Sequence, residues 1–317
     1  MGAWRRVFAV LTVVLVGLSA TATIAADRLN IVATTGMIAD AARQVGGDHV
    51  EVRALMGPGV DPHAYRQTRS DIVALARADL VLWHGLYLEA QMQEFLLDLA
   101  QDRTVVAVAE SLPSGVLRGH DDYADKFDPH VWMDPMLWAL VVDTVRDALQ
   151  EADPENARSY AANADAHSVE LGALGSYSDI ILDSVPPEAR VLLTAHDAFN
   201  YFGAAHGFEV VGIQGISTDS EAGLARVAEL VDLLVDRKIG AVFVESSVSD
   251  RNVRALIEGA AARGHDVSIG GTLFSDAMGE DGTYEGTYVG MIDHNATVIA
   301  RALGGDAPEG GMSDLLN

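Results

Sequence analysis

Short apolar runs alternate with amphipathic segments in two separate stretches of this chain, and a long segment without strand character lies between them. In the first stretch, residues 29–34, 50–55, 79–83 and 104–108 read as strands. Residues 37–45 read as a helix closed by Gly46 and Gly47. A second helix, capped by Ser70 or Asp71, runs through Ala76, and residues 86–99 are amphipathic throughout. In the second stretch the strands fall at 191–194, 209–213, 241–245 and 267–269, with helices at 198–205, 221–237, 250–262 and 287–303. Strands separated by helices of this length imply right-handed parallel crossovers and an α/β fold.

The intervening segment starts at Asp153-Pro154-Glu155, with proline in the first helical turn, and stops before Pro186-Pro187. A helix over 154–184 would span roughly 45 Å. Gly172 and Gly175 mark a weak spot at which it could break. The pattern predicts two parallel-sheet lobes, residues 27–150 and 187–317, joined by a single linking helix within 151–186. Residues 304–317, rich in glycine and acid, read as frayed.

The first 26 residues stand outside this pattern. Arg5 and Arg6 precede an apolar run from Val7 to Leu18, and small residues follow up to Ala25 and Ala26. That is a cleavable secretory signal peptide, with an apolar part too short to span a bilayer. The chain has no cysteine, so disulfides and thiolate ligation are excluded and no lipid-bearing N-terminal cysteine is available. A soluble periplasmic protein is expected. Composition suits a well-packed core, at 49% hydrophobic and 21% charged, and about 290 mature residues suit two domains. The formal charge of −25 disfavours nucleic acid and anionic membranes and raises the local concentration of cations.

Four short segments then carry the chemistry. Asp61-Pro62-His63 follows the second strand, and Asp128-Pro129-His130-Val131-Trp132 lies between the first lobe's last strand and its closing helix. His196 follows the first strand of the second lobe, and Asp276 follows that lobe's last strand. Ligands of open parallel sheets bind beyond the carboxyl ends of strands, so two facing lobes would bring these four residues into one cleft. Three imidazoles and one carboxylate complete a shell for a divalent transition metal. Imidazole suits zinc, and an aspartate that binds through both oxygens makes manganese tolerable. Glu245, at the end of a buried strand, is placed either to orient one of the imidazoles or to make a structural hydrogen bond.

Taken together, these segments resemble the solute-binding proteins of ATP-driven zinc and manganese importers, the treponemal mixed zinc/manganese type above all. The resemblance rests on Gly59 to His63, Asp128 to Trp132, Thr194 to Phe202 with Gly207-Phe208, Gln214 to Thr218, Val244-Glu245, Gly271 to Asp276 and Gly286 to Tyr288. It implies two α/β lobes joined by one long helix, with His63, His130, His196 and Asp276 as the ligands of one zinc or manganese ion. It also implies delivery of that ion to a membrane permease by a monomeric, non-enzymatic protein. Some manganese-type members carry glutamate in place of His196, so histidine here leans towards zinc or a mixed specificity. The short acidic stretch 119–126 replaces the long histidine-rich loop of many zinc-uptake members.

The rival class is a secreted zinc hydrolase that uses the same three histidines and aspartate, with water in an open position. Neither an H-E-x-x-H helix nor a G-x-S-x-G elbow accompanies the four segments. His49, His84, His167, His206, His265 and His294 are expected to serve packing or the surface.

Overall fold

The computed structural model describes residues 28–119 and 124–315; the segment 1–26, expected to be a signal peptide, and His120 lie outside them. In the first lobe, β1 (Leu29–Ala33), β2 (Val50–Ala54), β3 (Leu80–Trp83) and β4 (Val105–Ala107) form one parallel sheet in the order β2-β1-β3-β4. Its helices are α1 (Gly36–Gly46), α2 (Arg69–Arg77), α3 (Gln93–Leu99) and α4 (Pro135–Ala152). A long helix, α5 (Ala157–Asp183), leads to the second lobe. There β5 (Val191–Thr194) pairs with β6 (Glu209–Gly212), and β7 (Ala241–Glu245) with β8 (Ser268–Leu273), all parallel. Because β5 lies beside β7, this lobe repeats the strand order of the first. Its helices are α6 (Asn200–His206), α7 (Leu224–Arg237), α8 (Arg251–Ala262) and α9 (Tyr288–Ala302). Among the described residues, no helix is long and apolar enough to cross a membrane.

Local chemistry sets most helix starts. Thr35 accepts from the Ile38 N–H at the head of α1, and Asp134 accepts from the Met136 N–H at the head of α4, where Pro135 occupies the first turn. The cap of α2 is Thr68 rather than Ser70 or Asp71: Thr68 and Asp71 close a reciprocal capping box.

The linking helix is single, as expected, and runs unbroken over 27 residues through the weak spot at Gly172 and Gly175. Tyr160, Ala164, His167, Leu171, Leu174, Ser178 and Leu182 recur every three or four residues and are buried, against α4, α9 and α1. Burying Leu171 and Leu174 contributes about 1.5–3 kcal/mol each. Gly172 and Gly175 cost about 1 kcal/mol each, so packing outweighs them. The helix is also no free strut. One continuous core takes in Trp132, Trp138, Tyr160, Phe199, Phe243 and Tyr288 and so runs from lobe to lobe.

Three other expectations are corrected. The helix expected over 86–99 begins only at Gln93, because the fully buried Glu89 turns the chain inward. Its carboxylate accepts from Thr34 Oγ1 at 2.6 Å and from the backbone N–H groups of His84 and Gly85, which forces Leu86 and Tyr87 into left-handed backbone. Strand β8 continues to Leu273 instead of stopping before its glycines. A Cβ on Gly270 would stand 2.8 Å from Phe243, and one on Gly271 would stand 2.4 Å from Val298, so the strand needs both glycines to lie under its neighbours. Finally, the tail is ordered as far as Leu315: Gly311–Leu315 forms a 3-10 turn, and Met312 N–H donates to both carboxylate oxygens of Asp293.

Candidate metal centre

All four sequence-predicted ligands come together at the seam between the lobes, and all four are buried. His63 stands in the loop between β2 and α2, and His130 in the turn that precedes α4. His196 follows β5, and Asp276 follows β8. Each lobe thus contributes two groups from the carboxyl ends of its strands.

Several of the spacings are those of a tetrahedral shell. Four atoms each about 2.0–2.1 Å from a shared centre lie about 3.3–3.4 Å from one another. Here His63 Nε2 is 3.3 Å from His130 Nε2, His130 Nε2 is 3.4 Å from Asp276 Oδ1, and His196 Nε2 is 3.2 Å from Asp276 Oδ2. His63 Nε2 stands 3.9 Å from Asp276 Oδ2, and one ligand atom from each residue lies within 4.8 Å of the other three. His196 Nε2 and both oxygens of Asp276 are buried and have no hydrogen-bond partner. Buried polar atoms are seldom left so, and the donor set is one that a divalent ion satisfies. No other group of three or more such side chains among the described residues converges in this way.

Residues behind the four hold them in place. Asp128 Oδ1 accepts from both the backbone N–H and Nδ1–H of His130, the latter at 2.7 Å, while Oδ2 accepts from Asn200 Nδ2. Glu245 does the same for His196, accepting from the backbone N–H at 2.8 Å and from Nδ1 at 2.5 Å. These bonds fix the tautomer that leaves each Nε2 facing the centre. Trp132 Nε1–H donates to the carbonyl of Ser275, and Tyr288 OH donates to the carbonyl of Trp132, so His130's turn and Asp276's loop are tied together. Asn295 on α9 brackets that loop by accepting from Phe274 N–H and donating to Phe274 C=O. Glu245 was legible as a strand-end carboxylate. Asn200, the Trp132–Ser275 bond and Asn295 were not, because nothing local marks them. Asp128 carried a usable signal, since an aspartate two residues before histidine can accept that residue's N–H. His84, expected to serve packing, is buried and shares a hydrogen bond with Pro129 C=O at 2.7 Å, with Trp132 edge-on to its ring.

A family model described as "zinc-uptake complex component A periplasmic" matches residues 31–302. The chain belongs to this family. It is 48% identical over 277 residues to the manganese-binding lipoprotein MntA of Bacillus subtilis, covering 87% of this chain and 90% of that protein. It is 47% identical over 280 residues to the zinc-binding protein TroA of Treponema pallidum, covering 88% of this chain and 90% of that one. The solved structure of periplasmic zinc-binding TroA superposes with a TM-score of 0.85 at 46% identity, over 87% of this chain and 99% of that chain.

In this member of the zinc-uptake component A family, the three imidazoles differ sharply in charge. Burial pulls His63 down to about 3, helped by the neighbouring His130 and His196, so its ring is neutral. Burial also disfavours charge on His130, but Asp128 and Asp276 overcome it and push its pKa up to about 9. In His196 burial is likewise opposed, by Asp276 and Glu245, and the pKa stands well above the ordinary value. Burial alone would raise Asp276, yet His196, His130 and His63 hold it well below the usual carboxylate range. Without an ion, the protonated rings of His130 and His196 face Asp276 on one side and Asp128 and Glu245 on the other.

Proposed function

We propose that this chain captures one zinc or manganese ion outside the cytoplasm and hands it to the membrane permease of an ATP-driven importer. The two metals are those for which the relatives of 48% and 47% identity are named. His63, His130, His196 and Asp276 are the ligands in this reading, with Asp128 and Glu245 as the groups that orient two of the rings. The observation that carries it is the convergence of four buried residues whose ligand atoms lie within 4.8 Å of one another, with His196 Nε2 and both Asp276 oxygens lacking any other partner. Residues 27–150 and 187–317 act as the two lobes and 151–186 as the joint between them. The chain acts as a monomer after removal of its leader.

The protein is proposed to be catalytically inert. A hydrolytic zinc site keeps one position open for water. Here Asp276 turns Oδ1 towards His130 and Oδ2 towards His196, so the carboxylate occupies the remaining side of the three imidazoles. The same two oxygens permit one-oxygen binding for zinc or two-oxygen binding for manganese. The permease must then draw the ligands apart, and their division between the lobes permits that. Deletion of the gene is expected to impair growth in zinc- or manganese-depleted medium, with rescue by the transported metal alone. Failure of both metals to rescue, or hydrolysis of esters, phosphates or peptides that is abolished by His196→Ala, would favour the hydrolase.

Glu245→Gln tests the orienting role. The glutamine cannot accept from both the His196 N–H and Nδ1–H, so metal affinity should fall by about 10–100-fold with the four ligands intact. Chelator competition measures this directly, and an affinity equal to that of the unaltered protein would remove Glu245 from the machinery.

A further inference from the structure

We propose that Asp61 and Thr218 form a clasp across the cleft that positions His63 and sets how fast the bound ion leaves. The inference rests on the metal-binding reading above and assigns a role to two segments that contribute no other group to the centre, Gly59 to Asp61 and Gln214 to Thr218.

The two Asp-Pro-His tripeptides look alike in sequence and differ in the fold. In Asp128-Pro129-His130 the aspartate stands behind its own histidine ring, accepting from Nδ1 at 2.7 Å. In Asp61-Pro62-His63 the aspartate takes only the backbone N–H of its histidine, Oδ1 accepting at 2.8 Å. Its second oxygen crosses the seam and accepts from Thr218 Oγ1 at 2.5 Å. His130 and His196 therefore have a carboxylate behind the ring, whereas the carboxylate belonging to His63 is shared between its backbone and the opposite lobe. The loop that carries His63 is held towards the second lobe through this oxygen.

The Thr218 side is itself anchored. Gln214 Nε2 donates to Ser220 C=O and closes the loop on itself, and Asp197 N–H, next to His196, donates to Gly215 C=O. One residue beyond Thr218, Asp219 accepts from Gln91 Nε2 of the first lobe at 3.4 Å, on the exposed rim. The 214–220 loop is thus fixed to the His196 side and reaches across at Thr218 and Asp219. Separating the lobes to release the ion must break the Asp61–Thr218 bond. An ion held by a fixed His63 should leave more slowly than one whose His63 loop is free to swing.

The test uses the zinc-loaded mature protein, with release followed by stopped flow into excess colorimetric chelator. Thr218→Val keeps the shape of the side chain and removes only the donor. It is expected to release zinc at least about tenfold faster, with one zinc per chain retained and the thermal midpoint of the metal-free protein unchanged. Thr218→Ser restores the hydroxyl and should return the rate to near that of the unaltered protein. A Thr218→Val rate equal to that of the unaltered protein, or a Thr218→Ser rate as fast as that of Thr218→Val, would overturn the clasp. If the unaltered protein takes up neither zinc nor manganese, the ion count shows it before any rate is measured, and the metal-binding reading itself fails.

Discussion

Replacing His196 with alanine is expected to strip the ion from the protein and to destabilise the metal-free chain as well. The first effect follows from the shell: losing one of four ligands should weaken binding on the order of 100-fold or more, at least matching the loss of an orienting group. The second follows from Glu245, which is 4% exposed and gives both oxygens to His196. Without the imidazole one of those oxygens is left buried and unpartnered, at a cost of about 3–5 kcal/mol. His63→Ala separates the two effects. Asp61 takes only the backbone N–H of His63, a bond that alanine keeps, so the ion should be lost while metal-free stability hardly changes. Elemental analysis after dialysis reads the first effect, and urea unfolding of the metal-free variants reads the second. An undiminished ion count in both variants would rule out this shell. Equal destabilisation by both would refute the distinction drawn between Glu245 and Asp61.

The second large effect is on pH. From unperturbed imidazoles alone, affinity would fall only below about pH 6.5. The structure moves that window upward. The pKa of His130 is raised to about 9 and that of His196 is raised well above its ordinary value, so at neutral pH both rings carry a proton that the ion must displace. His63, lowered to about 3, and Asp276, held well below the carboxylate range, have no proton to give up. A group with a raised pKa costs affinity at every pH below that pKa and stops costing it above. Affinity should therefore climb with pH through neutrality and begin to level only as His130 reaches about 9. With two protons displaced, the slope between pH 6 and 8 is about a hundredfold per pH unit. Competition titrations across that range measure the slope, and calorimetry in buffers of different ionisation enthalpy counts the protons. Release of no proton at pH 7 would mean that both rings are already neutral and that the carboxylates behind them do not set their charge.

Much of this molecule was legible from local pattern. Strands β5 and β7 were read to the residue, since a short apolar run between turn-forming residues has few other readings. The linking helix was legible from its proline-marked ends. Where the reading failed, a distant contact had won. Glu89 looks like the polar face of a helix over 86–99, and only its burial against Thr34, at the end of β1, turns that segment into a left-handed bend. Gly270 and Gly271 look like the end of a strand, and only Phe243 and α9 pressing on them explain why the strand continues. Gly172 and Gly175 look like a break, and burial along α5 carries the helix through them.

The same division runs through the metal centre. Residue type and position at strand ends are local properties, so His63, His130, His196 and Asp276 could be picked out before any fold was known. Glu245 and Asp128 carried a signal, but which ring each supports, and the charge states that follow, did not. The bond from Glu245 to His196 joins residues 49 apart in sequence, and the bond from Thr218 to Asp61 joins residues 157 apart. Two Asp-Pro-His tripeptides offer the same local chemistry, yet one aspartate stands behind its own imidazole and the other reaches to the opposite lobe. A pKa depends on distance to other charges and on exclusion of water, and both are set by how the lobes meet. The chain's local pattern could name the ligands, but only the fold, which sets Asp128 and Asp276 beside His130 and Glu245 and Asp276 beside His196, decides which rings hold protons. Only the packing of one lobe against the other decides which loop must swing for the ion to leave.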